Sequence, residues 1–242
     1  MKPTLAQKVK DYKPDESVKK VLKSTQILLM VGISGAGKDT IKDELLKKDD
    51  YHHIVSHTTR KMRMNDGILE QNGVEYHFID FETAETMLDN HAYVEANIYS
   101  ENIYGTSLAE IQMAHDEGKI AITDMEVQGV GEFMELAPET VKPVFFLPPS
   151  YEEWQSRWSK RYSNKDSAHS KDNIDLRFNT AKVELENALG AHYFYFVINE
   201  NLTNTVDLVD HIAHSTDDAE KYRDPAAEDL ARHLLEELNK HI

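Results

Sequence analysis

The chain lacks cysteine and long apolar runs, and these two absences limit what it can be. With no cysteine among 242 residues, disulfides and thiolate metal sites are excluded. No apolar run approaches the roughly 18 residues of a membrane-spanning helix, so we expect no membrane partner. Residues 1–20 lack the apolar stretch of a secretory signal, and we expect a cytoplasmic protein.

Arginine is also scarce, and its placement is uneven. The net charge of −16 should repel nucleic acid, so we expect no nucleic-acid partner. Of only seven arginines, five fall in two close groups: Arg60, Arg63, Arg157, Arg161 and Arg177. Because the planar guanidinium suits phosphate recognition, the clusters indicate a local site for a small phosphorylated ligand. Chance clustering of surface charge is the alternative.

Short apolar segments alternate with amphipathic ones along most of the chain. The apolar segments have the length of buried strands: 26–31, 53–56, 119–125, 143–148 and 195–199. Helical patterns lie between and after them: 41–48, 108–118, 149–161, 175–189 and 205–214. The alternation predicts an α/β fold with a doubly wound parallel sheet flanked by helices. Residues 57–106 are polar and aromatic and indicate a small inserted β-rich region.

Both ends of the chain differ from this pattern. The first 24 residues are polar and rich in lysine, and a short helix can begin at Asp15 and reach Leu22. After Pro225, leucines at i, i+4 and i+8 predict an amphipathic helix. That helix packs either on its own domain or on a second subunit, so the protein is a monomer or a homodimer.

The segment from Gly32 to Lys38 reads G-x-x-x-x-G-K between a predicted strand and a predicted helix, which is the context of a P-loop. Its backbone N–H groups and the lysine cradle nucleotide phosphates. The residues predicted to bind ATP here are Ser34, Gly35, Ala36, Gly37, Lys38, Asp39 and Thr40.

Magnesium should accompany the ATP. Asp124 ends a buried strand, where a carboxylate can hold Mg²⁺ or its waters. P-loops normally carry Ser or Thr at the position that Asp39 occupies. Either Asp39 helps to hold the metal, or it turns to solvent and Thr40 supplies the hydroxyl.

Four further segments follow in order: SHTTRKMR at 56–63, NGVEYHF at 72–78, NIYGT at 102–106 and DMEVQG at 124–129. They resemble the guanylate kinase motifs S-x-T-T-R-x-x-R, G-x-x-Y-x-F, N-x-Y-G-[ST] and D-I-[DE]-x-Q-G. The resemblance spans about residues 26–214. It implies an extension at 1–25, a kinase domain at 26–214 and a helical tail at 215–242, with a GMP-binding insert at 56–107 and a lid at 160–178.

The resemblance also implies roles for individual residues. The GMP-binding set comprises Ser56, Arg60, Arg63, Tyr76, Glu95, Tyr104, Thr106 and Glu126. Within it, the two arginines and two tyrosines would hold the phosphate, and Ser56, Glu95 and Thr106 would read the guanine. Lys38 and the lid residues Arg161 and Arg177 would be catalytic, and Asn199 would lie near the adenine of ATP.

The implied reaction moves the γ-phosphoryl group of ATP to GMP or dGMP, giving ADP and GDP or dGDP in purine nucleotide metabolism. Two alternatives remain: a kinase of ribose 1,5-bisphosphate, and a guanylate-kinase-like binding module without catalysis. One departure stands out. The usual Pro-Gly-Glu between Arg63 and Tyr76 is absent, and either Asp66 or Glu70 replaces its glutamate.

Overall fold

The structure is a computed structural model that describes residues 2–65, 67–162, 171–216 and 219–241. In these ranges the strands are β1 Ile27–Gly32, β2 Tyr51–His53, β3 His57–Thr58, β4 Met64–Asn65, β5 Ile68–Leu69, β6 His77–Phe78, β7 Tyr93–Tyr99, β8 Asn102–Ser107, β9 Ile120–Asp124, β10 Val141–Leu147 and β11 Tyr195–Ile198. The α-helices are α1 Pro3–Asp11, α2 Glu16–Leu22, α3 Lys38–Leu45, α4 Phe81–Asp89, α5 Leu108–Asp116, α6 Val127–Leu136, α7 Tyr151–Tyr162, α8 Lys171–Gly190, α9 Leu202–His214 and α10 Pro225–His241.

The strands form a main sheet and two smaller ones. The main sheet has five strands in the order β11-β10-β1-β9-β2. Strand β10 pairs in parallel with β11, and β2 pairs in parallel with β9. A four-stranded sheet has the order β6-β3-β8-β7, and β4 and β5 form a two-stranded ribbon. Together with the flanking helices, this arrangement confirms the predicted α/β class with a parallel sheet.

The chain divides into two compact units. The first comprises Met1–Ile27, Asp49–Thr123 and Gly131–Val141, and the second comprises Leu28–Lys48, Asp124–Val130 and Lys142–Ile242. The first unit has an apolar cluster that joins the amino-terminal helix to the insert: Leu5, Val9, Ala84, Leu88, Tyr93 and Ile103. The second unit has an aromatic cluster of Phe145, Phe194 and Phe196, with ring centroids 5.4 to 6.5 Å apart.

Local chemistry explains where the elements begin. All residues of β1 and β10 are buried, as expected of the apolar segments 26–31 and 143–148 in a parallel sheet, and the buried residues of β10 also include Lys142. The carboxylate of Asp15 accepts a hydrogen bond from the Ser17 N–H at 2.9 Å and starts α2, as predicted. Asp80 starts α4 in the same way through the Thr83 N–H at 2.7 Å.

Three of the helices in the described residues were not predicted. Helix α6 contains Gly129 and Gly131, which lower helix propensity and hide its pattern. Helix α1 carries its signal in Leu5 and Val9, an i, i+4 pair that is too short a stripe to stand out in a lysine-rich segment. Helix α4 lies inside the region predicted to be β-rich. Strand β2 also begins earlier than the apolar segment 53–56, because its ladder with β9 starts at Tyr51.

The carboxyl-terminal helix packs on its own chain. Its apolar face is buried in the second unit, where α10 lies against α8 and β11; the buried residues are Ala227, Ala231, Leu234 and Leu238. The helix thus packs on its own domain, and whether the protein is a monomer or a homodimer stays a prediction. None of the helices in the described part of the chain has the length and apolarity to cross a bilayer.

Candidate nucleotide-binding site

The P-loop connects β1 to α3 in the second unit, and its backbone requires glycine. Gly32, Gly35 and Gly37 have φ values of 139°, 90° and 93°, which side chains rarely tolerate. A Cβ atom on Gly32 would also lie 2.5 Å from the carbonyl oxygen of Phe146. The glycines of the motif are thus set by conformation and by the close approach of β10.

Lys38 is the first residue of α3, and its side chain folds back over the loop. Its ammonium donates to the carbonyl oxygen of Gly32, and the Ile33 carbonyl lies 3.5 Å away. The loop ends at the amino terminus of α3, where the N–H groups of the first turn and the helix dipole favour anions. The geometry is that of a phosphate cradle closed by one cation.

Side chains from distant segments of the second unit hold this loop in place. The Trp154 indole donates to the Ser34 carbonyl, and the Asn199 amide donates to the Ala36 carbonyl, both at 2.8 Å. Arg157 donates to the Asn199 carbonyl at 3.2 Å. Asn199 is therefore an anchor of the loop, and its role near the adenine stays a prediction. Sequence reasoning missed Trp154, although its place three residues before Arg157 puts both on one face of α7.

The lid is only partly described. Arg177 lies on α8, and its guanidinium is 3.5 Å from the Ser34 hydroxyl. Arg161 lies in the last turn of α7, but its side chain is outside the described part of the structure, as are residues 163–170. The catalytic role predicted for both arginines stays a prediction.

The two acids predicted to hold magnesium, Asp39 and Asp124, both belong to the second unit. Asp124 ends β9, and its carboxylate, which is 44% exposed, forms an ion pair with Lys42 on α3. Burial acts to raise the pKa of Asp124, but the Lys42 ammonium outweighs it, so the pKa is lowered and the carboxylate stays charged. Asp39 and Thr40 are exposed in the first turn of α3. Among the described residues, no three histidine or acidic side chains cluster as a metal site by themselves.

Glu184 on α8 is a further acid that sequence reasoning missed. Burial and the nearby Glu126 carboxylate raise the pKa of Glu184 to about 7, and the Lys38 ammonium opposes that rise. The available signal was spacing: Glu184 follows Arg177 by seven residues and so shares its helix face. Glu126 lies just before α6 in the second unit, and its place in the GMP-binding set stays a prediction.

The first unit contains every predicted GMP residue except Glu126, and Arg60 is one of its buried charged residues. The guanidinium is buried and makes two parallel hydrogen bonds to the Glu70 carboxylate, at 2.8 and 3.0 Å. Glu70 also accepts from the Arg63 N–H at 2.7 Å. Glu70 is thus the acid that pairs with the arginine segment, and Asp66 lies outside the described residues.

Three of the four residues predicted to bind the GMP phosphate come together around this pair. The Arg60 guanidinium carbon lies 5.3 Å from the centre of the Tyr76 ring. The rings of Tyr76 and Tyr104 are 5.8 Å apart and meet edge to face. The side chain of Arg63 is exposed.

The predicted guanine reader, Glu95, is buried on β7 and held at both carboxylate oxygens. Its Oε1 accepts from the Thr106 N–H at 3.0 Å, and its Oε2 accepts from the Asn97 amide at 2.9 Å. Burial raises the pKa of Glu95 to about 7, and the Glu132 carboxylate adds to that rise, while the hydrogen bonds oppose it. Thr106 is itself buried, and Ser56 is half-buried just before β3.

A glycine-rich loop between a parallel strand and a helix, with one lysine turned over it, defines a phosphate-binding α/β protein of the P-loop class. Residues 24–215 match the sequence model of the family described as Guanylate kinase. The guanylate kinase of Clostridioides difficile is 36% identical over 196 residues, which cover 80% of this chain and 89% of that protein. The guanylate kinase of Latilactobacillus sakei is 31% identical over 191 residues, which cover 78% and 88%.

A solved structure agrees with these relatives. The crystal structure of guanylate kinase from Anaplasma phagocytophilum superimposes with a TM-score of 0.56 at 25% identity, covering 88% of this chain and 95% of that one. The chain belongs to the guanylate kinase family.

Proposed function

We propose that this protein transfers the γ-phosphoryl group of ATP to GMP or dGMP, giving ADP and GDP or dGDP. Family membership and the P-loop geometry support an ATP-dependent nucleotide kinase. The observation that carries the choice of acceptor is Glu95, a buried acid with both oxygens already oriented by the chain.

Guanine recognition follows from the free lone pairs of Glu95. A carboxylate has about four acceptor positions, and Thr106 and Asn97 occupy one on each oxygen. One position on each oxygen is left, which matches the adjacent N1–H and N2–H donors of guanine. Adenine has no such pair of donors and would leave the buried acid unmatched.

On the phosphate side, Arg60 with Tyr76 and Tyr104 would bind the dianion of GMP, and Glu70 would fix the guanidinium plane. A phosphate oxygen of GMP is already an anionic nucleophile, so the reaction needs no general base. Catalysis would rest on positioning and charge neutralisation by Lys38, Arg161 and Arg177. Closure of the lid would exclude water and suppress ATP hydrolysis.

Magnesium would enter with ATP. Asp124 offers a charged, accessible oxygen at the end of β9, and the Met125 N–H is held by the Met30 carbonyl at 3.1 Å beside the end of β1. Hard oxygen donors at this position suit Mg²⁺, with Asp39 or Thr40 as a further contact. When bound, the ion neutralises charge on the β- and γ-phosphates. With these substrates, we propose a place in purine nucleotide metabolism in the cytoplasm.

A coupled ADP-release assay tests the proposal, with ATP and four acceptors: GMP, dGMP, AMP and ribose 1,5-bisphosphate. We expect turnover with GMP and dGMP and little with AMP. Turnover with ribose 1,5-bisphosphate alone would assign the related sugar kinase instead. GMP binding without turnover on any acceptor would assign a binding module.

A further inference from the structure

Residues 3–14 precede the part of the chain that matches the family, yet they pack firmly on the predicted GMP-binding unit. Leu5 and Val9 of α1 are 3% and 4% exposed within the apolar cluster of the first unit. On α4, Glu85 and Asp89 pair with the Lys8 ammonium at 3.0 and 2.8 Å. This amino-terminal segment is therefore a docked part of the unit that carries Glu95.

Near the end of this segment, Tyr12 contacts the backbone of β7 through two hydrogen bonds. The Tyr12 hydroxyl donates to the Tyr93 carbonyl at 2.6 Å and accepts from the Tyr93 N–H at 3.1 Å. Among the described residues, β7 is the edge strand of its sheet, so no described strand pairs with these backbone groups on that side. Burial raises the pKa of the Tyr12 hydroxyl to about 12, so it keeps its proton and both bonds at neutral pH.

The contact falls where β7 changes register. Tyr93 pairs with Ser107 on β8, and the register shifts between Tyr93 and Glu95, which then pairs with Thr106. A shift of this kind redirects the side chain that follows it. Here it aims the Glu95 carboxylate at the Thr106 N–H. The Tyr12 hydroxyl thus binds both polar backbone groups of Tyr93, the residue at which the register shift begins.

A cavity joins the same groups. It has a volume of about 260 Å³, and residues of the amino-terminal segment form one wall while β7 and α6 form the others. Among its lining residues are Tyr12, Pro14, Glu95, Asn97 and Glu132.

We propose that Tyr12 is a positioning residue for guanine recognition, which acts by fixing the backbone of β7 and so the orientation of the Glu95 carboxylate. The inference rests on the proposed function. It assigns the amino-terminal segment a part in binding the acceptor base.

Tyr12→Phe tests it, because the ring keeps its edge-to-face contact with Tyr93 at 6.2 Å and only the hydroxyl is lost. Loss of a hydrogen-bonded contact predicts a rise of about 3- to 10-fold in the dissociation constant for GMP, measured by calorimetry. The KM for ATP and kcat should stay within about twofold, because the change concerns ground-state binding of GMP alone. Lys8→Met is the matched control: it removes the ion pairs of the same segment and should lower the unfolding temperature without weakening GMP binding.

The route through Glu95 is tested by a double-mutant cycle. If Tyr12 acts through that carboxylate, Tyr12→Phe should change GMP affinity less than about twofold in a Glu95→Gln background. An equal loss in both backgrounds, or no loss in the wild-type background, overturns the inference. Calorimetry needs no turnover, so a wild-type protein that binds GMP without phosphorylating it overturns the proposed reaction and leaves the Tyr12 test intact. A wild-type protein that does not bind GMP overturns both.

Discussion

The P-loop and the part of the first unit that is predicted to bind GMP are two differently built regions. The phosphate cradle is one uninterrupted stretch, residues 32–40, and its backbone conformation supplies most of the binding groups. The predicted GMP residues of the first unit are spread from Ser56 to Thr106 over separate strands, and they act through side chains. A site of the first kind is set by local sequence, whereas a site of the second kind depends on the register between strands.

The supporting contacts differ in the same way. Three side chains of the second unit, Trp154, Arg177 and Asn199, reach the P-loop directly. In the first unit, the acids are held instead: Glu70 by Arg60, and Glu95 by Thr106 and Asn97. Substitutions in the two regions should therefore affect different kinetic constants, and the following predictions test that separation.

Lys38→Met should give the largest loss. The substitution keeps the bulk of the side chain but removes the cation from the cradle, which predicts a fall in kcat of about 10² or more. The KM for GMP should change little, because all the predicted GMP residues except Glu126 lie in the first unit. Steady-state kinetics with each substrate varied in turn measure both constants. Near-normal turnover would show that this lysine does not act on the transferred phosphoryl group.

Glu95→Gln should have the opposite pattern to Lys38→Met, because it should affect the use of GMP and not the binding of ATP. Losing charge-assisted hydrogen bonds to guanine predicts a fall in kcat/KM for GMP of about 10- to 100-fold, with the KM for ATP unchanged. The unfolding temperatures of the variant and the wild type at pH 8 show whether a loss of activity comes from weaker guanine recognition or from a destabilised fold. The pKa of Glu95 is raised, so its charge destabilises the folded state fully above pH 7 and not at all below pH 4.5. The variant should therefore be at least as stable as the wild type at pH 8.

The pH dependence of GMP binding sharpens the same distinction. With the pKa of Glu95 at about 7, the free protein loses the accepting carboxylate as the pH falls through 7. The dissociation constant for GMP should rise about 10-fold between pH 8 and pH 6, beyond the change due to the phosphate of GMP itself. Glu95→Gln is the control, because it keeps only the phosphate contribution. If the dissociation constant for GMP depends on pH in the same way in both proteins, Glu95 does not take part in GMP binding.

Asp39→Ala should have the smallest effect. If the carboxylate helps to hold the metal, the Mg²⁺ concentration for half-maximal activity should rise about 3- to 10-fold at fixed ATP. Asp39→Ser, which restores the common ligand, should largely recover it. If Asp39→Ala leaves the Mg²⁺ concentration for half-maximal activity unchanged, Asp39 is not a metal ligand. The alternative in which Asp39 turns to solvent and Thr40 supplies the hydroxyl would then hold.

The contrast between the regions also explains what could be predicted from the sequence. The P-loop was predicted residue by residue, because its glycines and Lys38 follow from one local conformation. Glu70 could not be chosen over Asp66 from the sequence, since both acids lie in one polar segment; the choice of Glu70 depends on its burial and its ion pair with Arg60. Tyr12 gave no signal, because its partner is a backbone group 81 residues away.

Helices show the same limit. Helix α5 was predicted nearly to its ends from its own pattern, whereas α6 was missed because tertiary packing overrides its two glycines. The predicted domain boundaries and the roles of the individual site residues stay predictions.

The ratio of kcat/KM for GMP to that for AMP tests the central claim most directly, namely that a buried acid in the first unit selects the base while the P-loop supplies the phosphoryl donor. A site built to pair a buried acceptor with two donors should favour GMP by a factor on the order of 10³ or more. In Glu95→Gln the ratio should fall by at least about 10-fold while the KM for ATP stays constant. Comparable activity with GMP and AMP in the wild-type protein, or an unchanged ratio in the variant, would contradict the account.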